Sequence, residues 1–220
     1  AAARNWGMPP RVVTLSLDRR FGRDLADREP VDFDKVAELI AAHRNIVIFG
    51  DGGLGKTTLL LHVCSQLVEQ GSRVPLFLDA SAWARSGKGM LEYVAAREQA
   101  LASQVSASHL ARLAAGGQLA LFINGWNEIA GEHRERCRSE LVDLEATYKE
   151  LALVVTTRSW QEFPRPNEVQ HLQVLGLTWK EQVAAIRSAL PLDASKTLLE
   201  VLAKHSGLRW DSRSPLILRG

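Results

Sequence analysis

Gly50-Asp51-Gly52-Gly53-Leu54-Gly55-Lys56-Thr57-Thr58 is the stretch whose residue types and spacing can do chemistry. It fits G-x-x-x-x-G-K-[ST], in which a glycine-rich turn wraps nucleotide phosphates. The reason is geometric. Gly50, Gly52, Gly53 and Gly55 let the backbone bend with its N–H groups turned inward, where side chains would crowd a phosphate. A helix starting at the end of the turn adds free N–H groups and the positive end of its dipole. Lys56 supplies a mobile point charge for β- and γ-phosphates, and the Thr57 hydroxyl is placed to ligate Mg²⁺. A glycine-rich turn that matches by chance is the plain alternative. The flanks argue against it, because Asn45 to Phe49 reads as a buried strand and Thr57 to Glu69 as a helix.

Hydrolysis asks for more than binding: a metal, a group that orients water, and positive charge at the γ-phosphate. Two further stretches offer these groups. Phe122-Ile-Asn124-Gly125-Trp126-Asn127-Glu128 closes an apolar run. A carboxylate is expected at position 124 to hold Mg²⁺ through water, but Asn124 stands there with an amide oxygen and no charge. Glu128 is the candidate to polarise attacking water. The bland alternative makes Asn124-Gly125 a turn and Glu128 an acid at a helix start. Thr156-Thr157-Arg158 closes the next apolar run; its hydroxyls are expected to sense phosphate or its bound water, and Arg158 to reach the γ-phosphate as a fixed cation. The alternative there is a strand end with an exposed arginine.

These residues must be positioned by strands that alternate with helices, which predicts an α/β fold, a three-layer α/β/α P-loop NTPase core around a parallel sheet. The strands are read at 45–49, 74–79 (with Pro75 suited to an edge), 118–124, 151–155 and 169–174. Arg11 to Leu17 reads as a further edge strand, and Asp32 to Ala42 as a helix capped by Asp32. The helix after the glycine turn carries Leu59, Leu60, Val63, Leu67 and Val68 as its apolar stripe and ends at Gly71. Trp83 is expected in a loop with Ser86-Gly87-Lys88-Gly89. Met90 to Leu101, Ser106 to Ala115 and Glu132 to Lys149 read as helices. From Gly176 the pattern turns helical: Thr178 and Glu181 have capping-box spacing, Asp193 is placed to cap a helix ended by Gly207, and a third helix is read near Ser214-Pro215. The chain thus divides into a lead-in (1–44), a nucleotide-binding core (45–175) and the start of a helical subdomain (176–220).

The sequence has 220 residues, 46% hydrophobic and 24% charged, with a formal net charge of +2. That balance makes no strong claim on nucleic acid or membrane. Six histidines are scattered without ligand spacing, and the two cysteines, Cys64 and Cys137, fit no zinc or redox pattern. No run has membrane-spanning length and no signal peptide is visible, so a cytoplasmic location is expected. Both ends read as cuts through a longer protein.

Together the glycine-rich turn, Asn124-Gly125-Trp126-Asn127-Glu128, Thr156-Thr157-Arg158, Leu175-Gly176-Leu177-Thr178 and Ser214-Pro215-Leu216 resemble, in order, the motifs of the NACHT domain of STAND signalling NTPases. The resemblance covers roughly residues 30 to 220. The family usually shows Asp-Gly-hydrophobic-Asp-Glu after the third strand; this chain has Asn at 124 and 127 and keeps Glu128. The resemblance implies ATP and ADP as ligands, with Mg²⁺, and Pro215 near the adenine. It places the strand ending in Arg158 between the P-loop strand and the strand ending in Glu128. It also implies a switch in which exchange of ADP for ATP permits self-oligomerisation, with effector and sensor domains fused on either side and a role in immunity or cell death. Slow hydrolysis is the expectation; a nucleotide-locked scaffold without turnover is the alternative that the two asparagines motivate. A P-loop kinase would want an arginine-rich lid, and Arg158 to Pro166 is too short and too rich in proline to serve as one.

Overall fold

The structure is a computed structural model that describes residues 15–18, 28–31, 36–42, 45–163, 169–211 and 213. Its centre is a parallel sheet of five strands, β3 (Asn45–Phe49), β4 (Val74–Asp79), β5 (Leu119–Asn124), β6 (Ala152–Thr157) and β7 (Gln170–Val174). Their spatial order is β7-β3-β6-β5-β4. β6 therefore lies between the P-loop strand and β5, and β4 forms one margin, where Pro75 costs no ladder bond. Two antiparallel strands extend the other margin: β1 (Leu15–Asp18) pairs with β7, and β2 (Arg28–Val31) pairs with β1. β1 was expected at an edge; β2 covers it and becomes the outer strand. Pro30 within β2 is tolerated at such a margin.

Alternation along the strands creates two apolar faces. Ile46, Ile48, Ala120, Phe122, Ala152, Val154, Leu172 and Val174 point to one face. There they meet α1 (Val36–Ala42) and α2 (Lys56–Gln70) through Val36, Ile40, Leu59, Leu60, Val63 and Leu67. Val68, assigned to that stripe from its spacing, is 63% exposed instead. Burial pushes the Cys64 thiol, at the edge of this layer, up to about 11, as suits an inert packing residue. Val47, Leu121, Ile123, Leu153 and Val155 point to the opposite face, toward Trp83, Met90, Trp126, Cys137 and Leu141. The helices on that side are α3 (Ala80–Ser86), α4 (Met90–Ala95), α6 (Ala107–Ala115) and α7 (Gly131–Thr147), with α5 (Glu98–Ala102) lying against α4.

Trp83 lies not in a loop but fully buried in α3, which Asp79 caps by accepting the Ala82 N–H at 2.8 Å. Its indole N–H donates to the Lys88 carbonyl, and Arg136 of α7 lies over its ring, so the Ser86–Gly89 stretch is an exposed connector tied back to the buried Trp83. The helix read over Met90 to Leu101 is broken between α4 and α5. After the sheet come α8 (Trp179–Ala189), α9 (Leu192–Lys204) and α10 (Ser206–Asp211). Thr178 and Glu181 form the expected capping box. Pro191, not Asp193, takes the cap position of α9, and Gly207 lies within α10 rather than after a helix end. Asp32, Ser214 and Pro215 are outside the described residues.

Candidate functional site

The glycine turn leaves the carboxyl end of β3, in the middle of the parallel sheet. Gly50 is required there by both torsion and space. Its φ is +150°, and a Cβ would stand 2.6 Å from the Val174 carbonyl oxygen of β7, a backbone atom that cannot yield. Leu54 turns inward and is 8% exposed, anchoring the turn to the α2 layer. Asp51, Gly52, Thr57 and Thr58 are exposed, and Gly53, Gly55 and Lys56 are half-buried. Gly55, at φ 93°, caps α2 without a side-chain hydrogen bond. Lys56 Nζ folds back over the turn and donates to the carbonyls of Gly50 at 2.7 Å and Asp51 at 2.8 Å. Burial and the Arg158 guanidinium push the Lys56 ammonium below its ordinary range, against the opposing pull of Asp51 and Glu128. Below that lowered pKa the folded chain carries a penalty for holding the charge, which disappears only as the pH rises toward the alkaline range of a free lysine. A polyanion relieves the same penalty at neutral pH.

β3, β5 and β6 run parallel, so Lys56, Glu128 and Arg158, far apart in sequence, all follow carboxyl ends at one end of the sheet, and Arg158 and Glu128 both act on the Lys56 charge. The strand faces set which side chains meet. Asn124 continues the alternation of Ala120 and Phe122, and Thr156 that of Ala152 and Val154, so both point to the α2 side. Thr57 begins the second residue of α2 and donates its hydroxyl to Asn124 Oδ1 at 3.0 Å. Thr156 Oγ1 donates to the same oxygen at 3.0 Å and accepts the Gly125 N–H at 2.9 Å. Thr157 points to the other face and donates to the Ser159 carbonyl and to Glu162. Thr156 and Thr157 are 1% and 0% exposed. Both hydroxyls are engaged within the protein, where they hold the ends of β5 and β6.

After Asn124 the chain turns through Gly125 at φ 76° into a 3-10 turn, Trp126–Glu128. Trp126 fills the core, packs edge-on against Phe163, and donates its indole N–H to the Glu162 carbonyl at 3.0 Å. Glu128 closes the turn by donating its backbone N–H to the Gly125 carbonyl at 2.8 Å. Its carboxyl folds back over Gly125, where an added Cβ would lie 2.9 Å from Glu128 Cδ. Gly125→Ala is therefore expected to displace the Glu128 carboxyl and to cost about 1–2 kcal/mol for the left-handed backbone. Thermal unfolding reads the strain. A melting temperature equal to that of wild type would show that neither the backbone nor the Glu128 carboxyl resists the added Cβ.

The donor set has a definite cation chemistry. Thr57 Oγ1 and Asn124 Oδ1 are hard neutral oxygens 3.0 Å apart. No cluster of three or more His, Cys, Asp or Glu residues suited to a metal occurs among the described residues. Asp79, in register beside Asn124, already spends one carboxylate oxygen on capping α3. Two neutral oxygens do not hold a bare divalent ion, but they complete the shell of one that arrives with phosphate oxygens. The residues present thus fit Mg²⁺ carried in by a nucleotide. Arg158 is exposed at the rim, free to turn toward a bound anion.

No protein-family model matches the chain, and no curated protein matches it. Solved structures do. AMPPCP-bound DnaA from Aquifex aeolicus is 18% identical with a TM-score of 0.54, over 76% of this chain and 54% of that one. The replication initiator DnaA bound to AMPPCP and single-stranded DNA is 17% identical with a TM-score of 0.51, over 76% and 54%. The chain spans about half the length of these structures. What the likeness shows is the fold: an α/β architecture built on a five-stranded parallel sheet. No helix among the described residues is long and apolar enough to cross a membrane.

Proposed function

We propose that this chain is the nucleotide-binding domain of a NACHT-type signalling switch that takes up ATP with Mg²⁺ and hydrolyses it slowly. The observation that carries the reading is the 3.0 Å contact of Thr57 on α2 with Asn124 at the end of β5, on a turn whose Lys56 feels the charges of Arg158 and Glu128. Three segments separated in sequence meet where one triphosphate would be held. Gly50 to Thr58 grips the phosphates. Thr57, with Asn124 through water, would hold Mg²⁺, which would supply neutralising charge to the phosphates. Glu128 accepts the proton of the attacking water. Lys56 and Arg158 stabilise charge on the γ-phosphoryl oxygens.

The NACHT assignment rests on the resemblance of the ordered motifs. In that reading α8 to α10 begin the helical subdomain that brings Pro215 to the adenine. The ADP form is closed, the ATP form self-associates, and effector and sensor modules flank the domain in a cytoplasmic defence protein. The DnaA likeness supports nucleotide binding, since both matched structures hold AMPPCP. The deciding experiment is an equilibrium titration of the purified domain with ATP, ADP and GTP in Mg²⁺, followed by product analysis. The expected result is saturable ATP binding with ADP and phosphate as slowly formed products. A domain that binds no nucleotide ends the proposal.

The neutral amide at 124 favours a second reading, a nucleotide-locked scaffold without turnover. Asn124→Asp distinguishes the two. An aspartate 3.0 Å from Thr57 Oγ1 adds the missing charge, and turnover is expected to rise about tenfold with half-maximal Mg²⁺ moved to lower concentration. If ATP stays intact on the aspartate variant as on the wild type, the scaffold reading wins.

A further inference from the structure

We propose that Thr156 is a positioning residue that selects which end of the Asn124 amide faces Thr57, and so decides whether Thr57 can ligate a cation. The inference rests on the nucleotide-site reading above. An asparagine side chain has two ends of nearly equal shape and opposite hydrogen-bonding sense. Nothing in packing alone tells them apart, and a chain that uses Asn where a carboxylate is expected must solve that problem.

Thr156 solves it through a one-way chain of hydrogen bonds. At 1% exposure its hydroxyl must meet its bonding capacity inside the protein. The Gly125 N–H can only donate, and it donates to Thr156 Oγ1 at 2.9 Å. The hydroxyl hydrogen is then passed to Asn124 Oδ1 at 3.0 Å. Turning the amide over would bring Nδ2 to an oxygen that already accepts, and would leave the hydroxyl hydrogen to find another acceptor in a buried place. The chain therefore presents Oδ1, and Thr57 donates to that same oxygen at 3.0 Å.

The consequence falls on Thr57. With its hydrogen committed to Asn124, its lone pairs are available to a hard cation. With the amide reversed, Thr57 would instead accept from Nδ2, and an NH₂ group bearing partial positive charge would stand beside the cation's place. A carboxylate at 124 has two equivalent oxygens and needs no such selection. The neutral amide is what makes the Thr156 hydroxyl necessary.

The experiment measures ATP affinity in Mg²⁺ and in EDTA for wild type, Thr156→Ser, Thr156→Val and the same valine variant on an Asn124→Asp background. Wild type and the serine variant are expected to gain affinity from Mg²⁺. Thr156→Val should lose about tenfold of that gain, as for other groups that orient a metal ligand, with affinity in EDTA unchanged. On the aspartate background the valine should leave the gain intact. If the valine variant folds poorly, Thr156→Ala reads the same loss. An equal loss in Mg²⁺ and EDTA, a serine variant as poor as valine, an unaltered gain in Thr156→Val, or the same loss on the aspartate background each overturns the proposal. So does a wild type that binds ATP with no gain from Mg²⁺, and in all these cases nucleotide binding itself stands. A wild type that binds no ATP sinks the nucleotide reading and this inference together.

Discussion

Lys56→Ala is expected to weaken ATP binding about 100-fold, the worth of roughly 3 kcal/mol for a charge-assisted hydrogen bond to phosphate. The geometry gives this number its sign. In the structure Nζ is held by two carbonyls of its own turn, Gly50 and Asp51, at 2.7 and 2.8 Å. Those bonds are partly surrendered when the ammonium moves to phosphate, so the net gain is smaller than the bare attraction. Burial and Arg158 lower the lysine's pKa, so at neutral pH the ammonium is held against a cost that a polyanion removes. Without the lysine, the exposed Asp51 carbonyl returns to water at little cost while the part-buried Gly50 carbonyl loses its donor, so stability should fall by about 1 kcal/mol, less than binding does. Isothermal titration and thermal unfolding, run side by side, separate the two effects. Affinity within a few-fold of wild type in a folded Lys56→Ala would show that phosphate does not sit in this turn.

Glu128→Gln is expected to lower turnover by about two orders of magnitude or more while leaving ATP affinity nearly unchanged. Glutamine keeps the shape that lies over Gly125 and removes only the ability to take a proton. The carboxyl is exposed and sits on a turn tied to the core by Trp126, whose indole bonds to Glu162 and whose ring packs on Phe163. Its approach to the site is thereby fixed by buried contacts even though its tip is in water. Single-turnover measurement of phosphate release is the direct readout, because it is blind to product dissociation. Equal rates for Glu128→Gln and wild type would assign any hydrolysis to water alone and leave Glu128 as an acid that ends a turn. A rate loss matched by an equal affinity loss would point to collapse of the turn rather than to proton transfer.

Much of this site was legible before any coordinates. The glycine turn declares itself because its chemistry is local: Gly50 to Thr58 act through backbone bend, helix start and side-chain type, all of which are properties of adjacent residues. The five core strands were legible for a related reason, since strands buried on both faces, such as β5 and β6, read as unbroken apolar runs. Trp83 was misplaced because a helix of seven residues flanked by Gly87 and Gly89 offers too few turns for a periodic pattern, and its cap, Asp79, ends a strand. The outer strand β2 was missed because Pro30 and charge look like a loop. Only pairing with β1 makes those residues a strand.

Legible in residue order alone were the glycine turn, the alternation of strand and helix, and the uncharged amide at Asn124. Side-chain type and short-range spacing carry all three. The tertiary structure alone decided that β6 lies between β3 and β5, and which of two adjacent threonines meets Asn124. Strand order comes from crossovers that no single segment encodes, and the choice of Thr156 over Thr157 comes from which face of the sheet α2 covers. Because neighbouring strand residues point to opposite faces, a shift of one residue in β6 would have put Thr157 on Asn124 and left Thr156 in the other layer.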